Sequence, residues 1–165
     1  MDTLATSSHL PALAEPHWRQ ATGRELQATM QELVDLSLIG KQLHWAVVGP
    51  TFRPVHLELD DLVDSWRDLA DEVAERAVAL GFVPDGQARA VAAESRLRPV
   101  PAEALDGYAV VRHITDRIAQ VSESVRERMD RLAERDAVSQ DVLIDVVRAL
   151  EKQQWMMRAQ LSGRA

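Results

Sequence analysis

Hydrophobic residues recur at alternating three- and four-residue steps along most of this chain, which is the pattern of amphipathic helices. The strongest run places Tyr108, Val111, Ile114, Ile118, Val121, Val125, Met129 and Leu132 on one face. Similar runs extend from Leu26 to Val47, from Thr51 to Leu80 and from about Ser139 to about Leu161, the last with a stripe of Val142, Val146, Leu150 and Trp155. No segment shows the two-residue alternation of a strand. The pattern therefore predicts an all-α protein with four long helices.

The predicted helices begin and end at recognisable signals. Thr22 and Glu25 have the spacing of a capping box, which opens the first helix. Gly49-Pro50 stops that helix, Thr51 can cap the second helix, and Gly81 can end it. These signals predict a short turn between the first two helices.

The connection between the second and third long helices is much longer. After a Pro84-Asp85-Gly86 turn, residues 87–96 suffice only for a short crossover helix before the next prolines. Such a connection predicts a four-helix bundle whose second and third helices are not hairpin neighbours. We assign residues 1–20 to a flexible N-terminal tail, 21–162 to the bundle and 163–165 to a short C-terminal end.

The second helix carries two separate stripes. Its apolar stripe consists of Leu59, Leu62, Val63, Trp66, Leu69, Ala70, Val73 and Ala77. A second stripe, about 130° of rotation away, consists of His56, Asp60, Asp71 and Glu75. Because the two stripes face different directions, the imidazole and carboxylates do not point into the bundle's own core.

The spacing of the second stripe predicts a metal site shared between two copies of the chain. His56/Asp60 and Asp71/Glu75 are i,i+4 pairs, but about 16 Å of helix separates Asp60 from Asp71. Two ions about 3.5–4 Å apart cannot contact both pairs of one chain. An antiparallel second copy would bring its Asp71/Glu75 beside His56/Asp60, giving two equivalent sites across a two-fold axis. His44, near the end of the first helix, is a fifth candidate ligand.

Composition limits the chemistry and the compartment. The chain has 165 residues, no cysteine and a formal net charge of −7. Disulfides and thiolate ligands are therefore excluded, which leaves hard or borderline ions with imidazole and carboxylate ligands. No apolar run approaches the roughly 20 residues that span a bilayer, and no signal peptide is apparent. We expect a single-domain cytoplasmic protein without membrane contact.

Four segments resemble the Dps family, the miniature ferritins. They are Lys41-Gln42-Leu43-His44-Trp45-Ala46-Val47-Val48-Gly49-Pro50-Thr51-Phe52, the His56/Asp60 and Asp71-Glu72-Val73-Ala74-Glu75-Arg76 motifs, and Leu150-Glu151-Lys152-Gln153-Gln154-Trp155. The resemblance covers nearly the whole chain after the first twenty residues. It implies a ferritin-like four-helix subunit and a hollow dodecamer built from two-fold dimers.

The resemblance also implies an activity and its residues. His44, His56 and Asp60 of one subunit, with Asp71 and Glu75 of its partner, would form a ferroxidase site. The substrates would be ferrous iron and hydrogen peroxide, preferred over oxygen, and ferric iron would be stored inside the shell.

Other residues have candidate roles outside the ligand set. Lys41 lies one turn before His44 and could contact a ligand carboxylate, whereas Trp45 is equally suited to a radical sink or an interface aromatic. By resemblance, Asp141 lines a three-fold pore through which iron passes, although an acid near a helix start can simply complement the helix dipole. His9 and His17 are read as surface residues, with a secondary metal site as the alternative.

DNA binding and compaction is the alternative function, because many members of this family bind DNA through basic tails. The first twenty residues here contain Asp2 and Glu15 against a single Arg19. Twelve chains of charge −7 would total about −84, which repels phosphate. A run of arginines near residues 126–135 alternates with acids and reads as an ion-paired helix face. DNA binding is therefore predicted to be weak or absent.

Overall fold

The computed structural model describes residues 17–162, which form an all-α bundle with a short crossover helix, as predicted. The elements in chain order are α1 (His17–Ala46), β1 (Val47–Val48), α2 (Phe52–Ala79), α3 (Ala88–Glu94), β2 (Leu105–Asp106), α4 (Gly107–Leu132) and α5 (Ala137–Leu161). α1 packs along α2 and α4 packs along α5. α3 lies in the crossover between the two pairs and contacts α1.

The core lies between the four long helices. The predicted apolar stripe of α2 is buried except for Leu69, which is partly buried, and Trp66 is fully buried. At Gly40, a Cβ atom would lie 2.7 Å from side-chain atoms of both Trp66 and Val63. The lack of a side chain at Gly40 therefore lets α1 approach α2 closely.

The start of α1 differs from the prediction. α1 begins at His17, so residues 17–20, part of the predicted tail, are helical. Thr22 lies inside the helix with its side chain fully buried, so it is not the N-cap of a capping box. The prediction failed because Thr22 faces the core rather than the helix end. The rest of the tail, including His9, lies outside the described residues.

Among the described residues, two short strands are present that the helical pattern did not reveal. Val47 and Val48 leave the helical stripe and pair in parallel with Leu105 and Asp106. A two-residue strand is too short for alternation to appear in the sequence. The pairing holds the end of α1 beside the beginning of α4.

Both ends of α2 lie close to the predicted residues. Thr51 occupies the N-cap position, but its hydroxyl makes no capping hydrogen bond. At the other end Gly81 adopts φ 85°, and the N–H groups of Gly81 and Phe82 donate to the carbonyls of Val78 and Ala77. This is a Schellman motif, in which glycine supplies the left-handed residue.

The last helix begins earlier than predicted, and its buried face matches the prediction at Val146 and Leu150 but not at Trp155. α5 begins at Ala137 rather than Ser139, and Ser139 is fully buried. Trp155, predicted on the apolar stripe, is 67% exposed, whereas Gln153 and Met157 are buried. Trp66 Nε1 donates to Gln153 Oε1 at 2.8 Å, so Gln153 serves as a polar partner inside the core.

Arg126, Arg128 and Arg131 of α4 are ion-paired as predicted, but their main partners lie on other helices. Arg128 donates two 2.8 Å hydrogen bonds to buried Glu32 of α1, Arg131 pairs with Glu25, and Arg126 pairs with Glu151. Among the helices of residues 17–162, none combines the length and apolar character needed to cross a membrane.

Candidate metal centre

Three of the predicted ligands come together in one chain. His44 lies in the last turn of α1, and His56 and Asp60 lie one turn apart near the beginning of α2. One ligand atom from each residue lies within 4.8 Å of the others. The short connection between α1 and α2 returns the chain antiparallel to itself, so residues twelve positions apart meet across it.

The side chain of each histidine is oriented by a hydrogen bond to the backbone carbonyl of the other. His44 Nδ1 is 3.0 Å from the carbonyl oxygen of His56, and His56 Nδ1 is 3.1 Å from the carbonyl oxygen of His44. Because a carbonyl oxygen only accepts, each Nδ1 carries the proton and donates it. In the neutral form of each ring, Nε2 then keeps its lone pair for a metal ion.

Ring contacts limit the orientation of both imidazoles further. The rings of His44 and His56 stack with centroids 3.6 Å apart and an interplanar angle of 23°. Phe52 lies 4.8 Å from the His56 ring on a tilted plane. His44 is buried, so the pair is anchored against the bundle while its outer edge remains open.

Asp60 is the carboxylate of the cluster, and Lys41 contacts it. Lys41 Nζ donates to Asp60 Oδ1 at 2.5 Å, and His44 Nδ1 is 3.2 Å from the same oxygen. The hydrogen bond from Lys41 lowers the pKa of Asp60, and the nearby His44 and His56 act in the same direction against burial. The carboxylate is therefore ionised and ready to bind a cation at neutral pH.

Asp71 and Glu75 do not join this cluster within the chain. Both are exposed on α2, and the helix rise places Asp71 about 16 Å beyond Asp60. Each chain thus has two separate candidate half-sites: His44, His56 and Asp60 where α1 and α2 meet, and Asp71 and Glu75 farther along α2.

Several exposed apolar side chains lie near the clustered ligands in sequence, and Phe52 contacts the His56 ring; of these residues, the sequence indicated only Trp45 as a candidate interface residue. Trp45 is 70% exposed, and Leu38, Val48, Phe52 and Leu57 are each between 44% and 52% exposed. They lie on α1, β1 and α2 close to His44 and His56 in sequence. In the sequence, each of them is an apolar residue outside the predicted buried stripe. Hydrophobic periodicity alone does not show whether such a residue is exposed or packed against the core.

Comparison with known proteins identifies the family. The family model for the ferritin-like domain matches residues 24–164. A "DNA protection during starvation protein 2" from Deinococcus radiodurans is 34% identical over 154 residues, covering 93% of this chain and 64% of the relative. A "DNA protection during starvation protein" from Mycolicibacterium smegmatis is 38% identical over 146 residues, covering 84% of this chain and 75% of the relative. The chain belongs to the Dps family.

Solved Dps structures agree with this assignment. A Dps crystal structure from Deinococcus radiodurans superposes with a TM-score of 0.86 at 32% identity, covering 90% of each chain. The chain spans just under two thirds of the Deinococcus relative named first, so that relative is longer than the ferritin-like unit described for this Dps chain.

Two further predicted residues of this Dps chain lie away from the cluster. Asp141 is exposed and is the fifth residue of α5, because the helix begins at Ala137. It therefore lies beyond the first turn of the helix. A carboxylate complements the helix dipole most effectively within that first turn. His17 is the first residue of α1 and is exposed.

The donor set of the cluster fits ferrous iron. Two imidazole nitrogens and one carboxylate suit borderline divalent ions, whereas calcium requires more oxygen ligands than this chain provides there. Three ligands also leave coordination positions free for a partner's carboxylates or an oxidant.

Proposed function

We propose that this Dps chain oxidises ferrous iron and stores the ferric product. The observation that carries the proposal is the cluster of His44, His56 and Asp60, in which both Nδ1 protons are held by backbone carbonyls. Both Nε2 lone pairs are then available to ferrous iron, and the Asp60 carboxylate supplies negative charge that stabilises the ferric product.

A second copy completes the site. Its α2 runs antiparallel to the first, so the partner's Asp71 and the partner's Glu75 meet His56 and Asp60, and the two-fold axis generates two sites. The exposed side chains of Phe52, which contacts the His56 ring, and of Trp45, which follows His44 in sequence, support this contact, since a partner would remove them from water.

Hydrogen peroxide is the proposed oxidant, with oxygen as the alternative. Two ferrous ions each give one electron to one peroxide molecule, its O–O bond breaks, and two protons complete two water molecules. Because both electrons are supplied at one site, no hydroxyl radical is released. The reaction therefore removes iron and peroxide together.

Storage requires an enclosed space, and we infer a hollow dodecamer built from the two-fold dimers. Iron passes into it through an acidic pore lined by Asp141, which is supported by the exposure of this side chain. The relatives are named for DNA protection in starvation. Consumption of iron and peroxide protects DNA without contact, which suits a chain of net charge −7.

Mixing two inactive variants tests the shared site. One variant carries His56→Ala and Asp60→Ala, and the other carries Asp71→Ala and Glu75→Ala. Each alone should oxidise ferrous iron very slowly with peroxide, at unchanged helix content by circular dichroism. In a random one-to-one mixture half of the interfaces pair unlike chains, and one of their two sites is intact, so about a quarter of the parent rate should return.

Two outcomes of this experiment would contradict the proposal. If either double variant alone oxidises iron at the parent rate, the ligand assignment is wrong. If particles verified by mass spectrometry to be mixed show no recovery, the site is not shared between chains.

A further inference from the structure

Four exposed charged residues lie on α2 between the half-sites, and two of them, Asp64 and Arg67, contact each other. Asp64 and Arg67 are 76% and 55% exposed at their side chains, and Arg67 NH1 is 3.8 Å from Asp64 Oδ1. This i,i+3 contact is long and surrounded by water, so it contributes little to the stability of a single chain.

Their position along α2 coincides with the axis of the proposed dimer. The midpoint between His56 and Glu75, and likewise between Asp60 and Asp71, falls between Ser65 and Trp66. Asp64 and Arg67 are placed symmetrically about the same midpoint. An antiparallel pairing that forms the metal sites therefore places each Asp64 opposite the partner's Arg67.

Their direction from the helix axis also fits. At about 100° per residue, Asp64 and Arg67 lie roughly 30° to either side of the centre of the ligand stripe. Trp66, between them in sequence, points into the core instead. Both charged side chains consequently face the second copy.

We propose that Asp64 and Arg67 form two reciprocal ion pairs between copies of this chain, beside the two-fold axis, and that these pairs set the register of the two α2 helices. The proposal rests on the proposed shared site, and the partner it specifies is a second copy. If one α2 helix moved by one turn along the other, Asp64 would face the partner's Asp71. A shift in the opposite direction would place Arg67 against the partner's Asp60. In either case the five ligands do not meet.

Charge reversal tests the pairing between chains. In Asp64→Arg, two arginines oppose each other across the interface, and in Arg67→Glu, two acids do so. Each variant alone should bind Zn²⁺, used as a redox-inert probe, about tenfold more weakly than the parent, with a lower thermal midpoint. In an equimolar mixture assembled together, at least half of the interfaces should pair unlike chains and bind Zn²⁺ with parent-like affinity, because unlike chains attract at both contacts.

The mixture separates contacts between chains from contacts within one chain. Each variant keeps two like charges at positions 64 and 67, so recovery cannot come from the intrachain contact. Asp145 and Arg148 are a matched control, since they form an exposed i,i+3 pair on α5 at 2.7 Å. Asp145→Arg and Arg148→Glu should leave Zn²⁺ affinity unchanged, alone or mixed.

Parent-like Zn²⁺ binding by both charge variants overturns the proposal, as does a mixture no better than its components. If charge reversal prevents folding, Asp64→Asn and Arg67→Gln remove the attraction without adding repulsion, and each should weaken Zn²⁺ binding several-fold. Parent-like Zn²⁺ affinity in both of these variants also overturns the proposal. The half-site mixture distinguishes the two proposals. Recovery in the half-site mixture without recovery in the charge-reversal mixture refutes only the ion pairs. Failure of the half-site mixture refutes the shared metal site.

Discussion

Replacing Arg128 with Met should strongly destabilise the bundle. Arg128 and Glu32 are 9% and 4% exposed, and two hydrogen bonds of 2.8 Å join them. Removing the guanidinium leaves a buried carboxylate without its partner, which costs about 3–5 kcal/mol. Since whole domains are stable by about 5–15 kcal/mol, this is a large share of the free energy of unfolding.

Thermal unfolding followed by circular dichroism measures the effect. At about 2–4 °C per kcal/mol for a chain of this size, the midpoint should fall by roughly 10 °C. All variants are compared at one protein concentration, because assembly raises apparent stability by mass action. Arg131→Met is the control, since the Arg131 side chain is 46% exposed in its pair with Glu25 and its loss should cost less than about 1 kcal/mol.

A double variant tests the cause of the destabilisation. Arg128→Met with Glu32→Leu removes both charges and should recover to within about 1–2 kcal/mol of the parent, because no unpaired buried charge remains. A single variant that melts within about 2 °C of the parent would refute the reasoning. A double variant less stable than Arg128→Met would show that packing, not charge, dominates.

Four further outcomes are expected. Because Lys41 lowers the pKa of Asp60, Lys41→Met should raise that pKa, and on acidification the variant should lose Zn²⁺ binding at a higher pH than the parent. Zn²⁺ titrations at stepped pH values measure this loss, and an unchanged pH profile would contradict the prediction. Asp141→Asn should slow iron uptake more than it lowers the thermal midpoint, and unchanged uptake kinetics would remove this residue from the pore. Gly40→Ala should lower stability by about 1–3 kcal/mol in denaturant unfolding, since the added Cβ would lie 2.7 Å from Trp66 and Val63; a parent-like midpoint would mean that the helices separate without cost. The purified protein should not retard DNA in gels near 0.15 M salt without divalent cations, and stable complexes there would restore DNA compaction as a second function.

Features set by neighbouring residues were predictable from the sequence. The apolar stripe of α2 and the i,i+4 spacing of His56 and Asp60 depend only on helical geometry. Gly81 ends α2 because glycine readily adopts a positive φ, and this too is a local property. The motif around His44 identified the family, which the comparisons confirm.

Contacts between distant residues were not predictable in this way. Val47 leaves the helical pattern because the crossover returns Leu105 beside it. Thr22 and Trp155 each fit a local pattern, a capping box or an apolar stripe, but the packing of the four helices buries the first and exposes the second.

The metal centre depends on both kinds of information. Sequence spacing by itself divided the ligands into two half-sites too far apart for one chain, because a helix rises by a constant amount per residue. Only the tertiary structure decided how His44 and His56 orient each other, since each Nδ1 donates to a carbonyl on the other helix. That exchange requires the close approach of α1 and α2, which is a property of the packed hairpin and not of either helix alone.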